Sequence, residues 1–207
     1  MQAEVVIRIL RAAFATLDAV ALAVALGHGT GSVGNFFSYF TVESNVLAIV
    51  VLGVEAAARP GGSGWAWLRG AATFAMVVTG VVYAVLLAGA DVGVIDAWVN
   101  TVLHQVGPAV MLLDWVLLPP VVRRFSRTVW WLALPLAYLV YSLIRGPLVD
   151  FYPYPFLDPR LSGGYARIAA YAVGLAAVMA GLALAIGAVG ARLARGTPEQ
   201  TRRRLRS

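Results

Sequence analysis

Thr41, Ser44 and Asn45 recur at i, i+3 and i+4, so a helix places all three on one face. Far along the chain stands His104, with Asn100 and Thr101 just before it. A hydroxyl beside an imidazole is the elementary unit of nucleophilic catalysis: the ring removes the proton and the alkoxide attacks a carbonyl. Tyr138, Tyr141, Ser142 and Arg145 repeat at i, i+3, i+4 and i+7. Asn45, Tyr138, Tyr141 and Arg145 offer donors for a forming oxyanion, and Arg145 also offers a clamp for a carboxylate. Asp18 is an acid able to fix the tautomer of His104. Each also has an ordinary structural reading. A threonine in an apolar helix commonly bonds back to its own backbone, a histidine there commonly joins two helices, and Asp18 and Arg145 can simply pair.

The elements that must carry these residues follow from composition. Of 207 residues, 60% are apolar and 13% charged, with mean hydropathy +0.80. Ordinary soluble domains carry about 25% charged residues. Half that charge leaves no soluble surface, which excludes a soluble enzyme, a disordered chain and a fibrous one. The expected fold class is all-α, a polytopic membrane protein. A span needs ~20 mostly apolar residues. Six stretches qualify: Val5–Leu26, Phe37–Ala57, Trp67–Leu87, Ala97–Leu118, Thr128–Arg145 and Ala166–Leu193. They make one six-helix transmembrane domain over 1–193, followed by a basic tail over 194–207.

Arginine placement sets the expected orientation. Arg8 and Arg11 precede or open the first span, Arg59 and Arg69 flank the second loop, and Arg123, Arg124 and Arg127 lie in the fourth. Six more arginines crowd the last sixteen residues, while the first and third loops have none. The positive-inside rule then puts both termini in the cytoplasm, which requires an even number of spans. The basic tail reads as an orientation and lipid-surface determinant, not a nucleic-acid site. With a rise of ~1.5 Å per residue, Thr41, His104, the 138–145 stripe, Asp18 and Tyr83 all come out in the outer half of the bilayer. Polar residues at one level on five helices predict a cavity opening outward. Glu55 and Asp114 fall nearer the inner side, as packing partners or steps in a proton path, and Glu43 points away from the polar face.

Other chemistry is scarce. There is no cysteine, so thiolate catalysis, disulfides and iron–sulfur ligation are excluded. Two histidines and scattered acids make no metal motif, and no cofactor is expected. Gly29-Thr30-Gly31-Ser32-Val33-Gly34 fits GxGxxG but lacks the flanking strand of a dinucleotide site, so it is a loop. His28, beside it, is a minor candidate base. The segment Gly146–Asp158 alternates proline with tyrosine and phenylalanine, a stiff aromatic stretch that serves as interfacial anchor or as a lid over the cavity.

The runs Phe40-Thr41-Val42-Glu43-Ser44-Asn45, His104 with Asp114-Trp115, Trp131 to Tyr138, and Tyr152-Pro153-Tyr154-Pro155-Phe156-Leu157-Asp158 resemble bacterial six-helix membrane proteins. Those in turn resemble, more remotely, the animal androgen-induced protein and androgen-dependent TFPI-regulating protein family. The resemblance implies an intramembrane hydrolase of fatty acid esters in the plasma membrane of a bacterium. Thr41 would be its nucleophile, His104 its base and a membrane lipid its substrate. The competing expectation is a small-molecule or ion transporter, or a ligand-binding membrane protein without chemistry, in which Asp18, Asp114 and Glu55 act as coupling carboxylates.

Overall fold

The structure, a computed structural model, describes residues 2–29, 31–58, 60–88, 96–119 and 125–195. Arg59, Arg123, Arg124 and residues 196–207 of the basic tail lie outside the described residues. Every regular element among those described is helical. In chain order these are α1 Gln2–His28, the single turn α2 Val33–Phe36, α3 Phe40–Ala57, α4 Ser63–Val82, α5 Ala97–Thr101, α6 Gly107–Leu117, α7 Ala133–Val149 and α8 Gly164–Arg195. Two π turns extend this set: Tyr83–Leu87 continues α4, and Val102–Val106 joins α5 to α6. A 3-10 stretch, Phe125–Leu132, leads into α7.

Five of these helical stretches are long and apolar enough to cross a membrane: Gln2–His28, Phe40–Ala57, Ser63–Leu87, Arg127–Val149 and Gly164–Ala194. The sequence predicts a sixth uninterrupted helix over Ala97–Leu118. The path from 97 to 117 is indeed helical throughout, but the π turn divides it. The reason is local. Pro108 has no N–H to return to the carbonyl of His104, and its ring crowds that carbonyl. Gly107 instead donates its N–H to the Val102 carbonyl five residues back. Two carbonyls, those of Leu103 and His104, are thereby left without their usual intrahelical donors.

Small residues bring α1 and α3 together. Ala15 of α1 is buried with Ala48, Val51 and Leu52 of α3, and Ala21 and Ala25 of α1 with Val42 of α3; small residues of this kind let helix backbones approach closely. A second nucleus lies between α4, α6, α8 and the 3-10 stretch, centred on Phe74, Trp115 and Trp131. Trp115 donates its indole N–H to the Ile186 carbonyl (2.9 Å). Gly190 is required beside it, since a Cβ there would fall 2.6 Å from the Trp115 ring.

Helix α7 behaves differently. Its closest backbone neighbours are the 3-10 stretch before it and a second 3-10 turn after it, Pro155–Leu157, while Tyr138, Leu139 and Leu143 reach residues of α4 and α8 by their side chains alone. Its backbone thus lies farther from α4 and α8 than those helices lie from each other, and the cavity described below is lined by all three.

Candidate active site

The first turn of α3 presents Thr41. Tyr39 is the N-cap residue, and Glu43 is the first residue of the helix to donate its N–H within the element, to Tyr39. The N–H of Thr41 is therefore one of the orphan donors of a helix start. Thr41 itself is buried.

His104 arrives from the π turn of 102–106. Its Nε2 lies 3.2 Å from Thr41 Oγ1, and its Nδ1 lies 3.1 Å from the Asn100 carbonyl. A carbonyl only accepts, so Nδ1 carries the hydrogen and Nε2 presents its lone pair to the threonine. The Thr41 hydroxyl thus donates to Nε2, the polarity a general base requires. Tyr83, in the other π turn, stacks on the imidazole with centroids 4.4 Å apart, and Asn100 donates its side-chain N–H to the Tyr83 hydroxyl. Asn100 therefore fixes the ring's tautomer through its carbonyl and the ring's platform through its amide.

Ser44 and Asn45 sit one turn below Thr41 and hold its backbone. Ser44 donates to the Thr41 carbonyl (3.0 Å) and its hydroxyl also meets that of Thr79 (2.8 Å). The Asn45 amide donates to the Thr41 carbonyl (2.8 Å) and to the Leu103 carbonyl (3.3 Å). The latter is a carbonyl orphaned by the π turn, so Asn45 ties α3 to the segment that carries His104. An unsatisfied buried carbonyl would otherwise cost about 1–3 kcal/mol.

From the far side Tyr154, in the aromatic segment between α7 and α8, places its hydroxyl 3.2 Å from both the N and the Oγ1 of Thr41. Tyr138 buries its ring against Phe40 and Tyr154 and donates its hydroxyl to the Ser38 carbonyl (3.0 Å). Thr41, Thr79, Tyr138, Tyr154 and Tyr171 are the residues with polar side-chain groups on the wall of a cavity of about 120 Å³ between α4, α7 and α8. The rest of its wall is apolar. An adjoining crevice of about 440 Å³ between α4 and α8 shares Val82, Tyr171 and Leu175 with it.

Of the residues singled out in the sequence, Thr41, His104, Ser44, Asn45 and Tyr138 come together here. The others do not. Asp18 is buried on α1, but no hydrogen bond of the described residues joins it to His104, whose Nδ1 is already taken by Asn100. Ser142 is buried, whereas Tyr141 is 39% exposed, so the 138–145 stripe divides between the interior and the outside. Arg145 donates to Asn35 of α2 (2.8 Å) and does not line the cavity. His28 is exposed and pairs with Asp96 (2.9 Å) on the surface. Glu43 is exposed, as its position on α3 predicts. Sequence reasoning passed over Tyr154 as an individual residue. Its place between two prolines was the available signal.

Comparison with protein-family models, with curated proteins and with solved structures finds no match.

Proposed function

We propose that this chain is a six-span membrane hydrolase of fatty acid esters, with Thr41 as nucleophile and His104 as general base. The observation that carries the reading is the Thr41 Oγ1–His104 Nε2 contact of 3.2 Å, with the imidazole tautomer set by Asn100 and the threonine opening onto an apolar cavity. The segment 97–117 supplies the sixth span, interrupted by its π turn. Both termini then face the cytoplasm of a bacterial cell, with the Thr41 site in the outer half of its plasma membrane. Acyl chains lie in the space beside α7 and the ester meets Thr41 at the cavity wall.

The chemistry balances without a cofactor. The Thr41 hydroxyl proton passes to His104 Nε2 as Oγ1 bonds to the ester carbon, and the carbonyl π pair moves onto oxygen. When the carbonyl re-forms, the bond to the alcohol oxygen breaks and His104 returns the proton to that oxygen, leaving acyl-Thr41. Water, deprotonated by His104, attacks the acyl carbon, and Thr41 leaves as its hydroxyl, releasing the fatty acid.

The transporter reading loses two of its three coupling carboxylates to fixed ion pairs. Asp114 bonds Arg11 (2.7 Å) and Arg69 (2.6 Å), and Glu55 bonds Arg11 (2.8 Å) and lies 3.4 Å from Arg69. The test is hydrolysis of a panel of medium- and long-chain fatty acid esters by the detergent-purified protein. Thr41→Ala and His104→Ala are each expected to lower turnover by about 10³-fold or more while leaving elution and melting unchanged. Wild-type turnover in either variant overturns the assignment.

A further inference from the structure

Tyr154 reaches Thr41 from outside the spans, and its position is built by packing. The ring lies parallel to Phe156 at 5.3 Å and edge-on to Tyr39 at 5.6 Å. The Leu157 N–H closes a turn onto the Tyr154 carbonyl (3.0 Å), and the residue is only 5% exposed. All of that packing would be served equally by phenylalanine. The hydroxyl adds nothing to it and costs desolvation unless it is bonded.

Its bonding has a direction. The Thr41 N–H, an orphan donor at the start of α3, can only donate, so the phenol oxygen accepts from it (3.2 Å). The phenol's own hydrogen is then free for an acceptor, and the acceptor in reach is Thr41 Oγ1 (3.2 Å). Oγ1 in turn gives its hydrogen to His104. The result is a chain from helix amide to phenol to threonine to imidazole, in which each bond polarises the next. Burial pushes the Tyr154 phenol up to about 12, so it remains a donor throughout the neutral range.

We propose that Tyr154 is the oxyanion donor of this site, its O–H turning from Thr41 Oγ1 to the ester's carbonyl oxygen as Thr41 attacks. The inference rests on the hydrolase reading above. In a tetrahedral adduct the oxyanion is two bonds from Oγ1, so a phenol already beside Oγ1 needs only a rotation of its O–H to reach it. No proton leaves Tyr154. It donates a hydrogen bond while negative charge is present and returns to Thr41 when the carbonyl re-forms. The α3 amide behind the phenol strengthens the donor at the moment charge develops, which is when a donor accelerates the reaction.

The experiment compares wild type, Tyr154→Phe and Thr41→Ala in ester hydrolysis and in labelling by a fluorophosphonate probe, whose phosphoryl oxygen imitates the oxyanion. Tyr154→Phe is expected to lower kcat and the labelling rate together by about 10²-fold with KM nearly unchanged. Thr41→Ala should abolish both. A Tyr154→Phe protein with wild-type kcat beside an inactive Thr41→Ala overturns the role of Tyr154 alone. An active Thr41→Ala overturns the hydrolase reading and this inference with it. Should Tyr154→Phe fail to fold, replacement of Tyr154 by a polyfluorinated tyrosine carries the same test. A more acidic phenol ionises within the assay range and stops donating, so an alkaline fall in kcat is expected that wild type lacks, and its absence overturns the proposal.

Discussion

Arg11, Glu55, Arg69 and Asp114, from α1, α3, α4 and α6, meet at one end of the bundle and satisfy one another. Fourteen residues back along α3, about 21 Å away, Thr41 and His104 meet with no ionic partner within hydrogen-bonding reach. Both clusters are buried, yet they differ in what is left over. At the charged end two guanidinium groups face two carboxylates, and Glu55 takes a further bond from the Trp65 indole while Arg69 also reaches the Leu118 carbonyl. Arg8 closes that end by donating to the Ala56 and Ala57 carbonyls at the C-terminus of α3. At the other end are two π turns, a helix amide engaged only by a phenol, and an Asn45 oxygen with no hydrogen-bond partner. One end fixes which helices meet. The other leaves a buried polar atom without a partner beside an open cavity.

Removing one charge tests the first half of that contrast and should produce the largest stability change in the molecule. Asp114→Leu leaves Arg11 and Arg69 with only Glu55 between them, an uncompensated buried charge costing about 3–5 kcal/mol. Glu55→Leu is expected to behave alike and to strand the Trp65 N–H as well. Replacing all four, as Arg11→Met, Glu55→Leu, Arg69→Met and Asp114→Leu, should recover most of that loss, because no buried charge then lacks a partner. Thermal unfolding in detergent measures both effects. A quadruple variant no more stable than the single ones would mean that the cluster is more than a balanced set of charges.

Much of this was legible in the chain and some was not, for identifiable reasons. Thr41, Ser44 and Asn45 share a face by helical spacing alone, and that face does turn to His104, because a 3.6-residue period survives any packing that keeps α3 a helix. The stripe from Tyr138 to Arg145 has the same kind of spacing but belongs to a helix that meets α4 and α8 by side chains alone. Spacing fixes which residues are neighbours, not which way a loosely packed helix faces. Arg11 and Arg69 read as surface charges by the orientation count, yet they are interior residues paired with Glu55 and with Asp114, the latter 103 and 45 positions away along the chain. Pro108 was visible throughout. Its consequence, a π turn that opens the Leu103 carbonyl to Asn45, depends on a third residue being in place to accept the irregularity.

Pro108 gives a sharper test of the Thr41 end, smaller in size than the loss of a charge. Pro108→Ala supplies the missing N–H and removes the ring that crowds the His104 carbonyl, so the segment 102–106 can close as ordinary α-helix. Relief of a helix-interior proline favours stability. Closing the turn, however, rotates His104 relative to Thr41, and misplacing a catalytic group by about 1 Å can cost 10²-fold. The expected outcome is a kcat lower by about 10²-fold with a melting temperature no lower than wild type. Loss of stability in parallel with activity would show that the turn serves the fold rather than the site.

The smallest effect is expected at Arg145, where the contrast between the two ends can be refined. Its guanidinium donates to Asn35 of the single-turn helix α2, and another of its nitrogens is buried without a partner. The side chain therefore braces the loop of α2 against α7, and an arginine in that position still has donor capacity unspent. If its work is bracing alone, Arg145→Met should leave kcat and KM within about twofold and lower stability by about 1 kcal/mol, the worth of one hydrogen bond. If the unspent donor instead holds a substrate carboxylate, KM should rise about tenfold for esters that bear a free carboxylate and stay unchanged for the matching methyl esters, since one charge-assisted bond is worth about 1.5–3 kcal/mol. Running the two ester series side by side on wild type and Arg145→Met separates the outcomes. It also decides whether the Thr41 end of the bundle uses only the cavity wall or also the loop of α2 on the other side of α7.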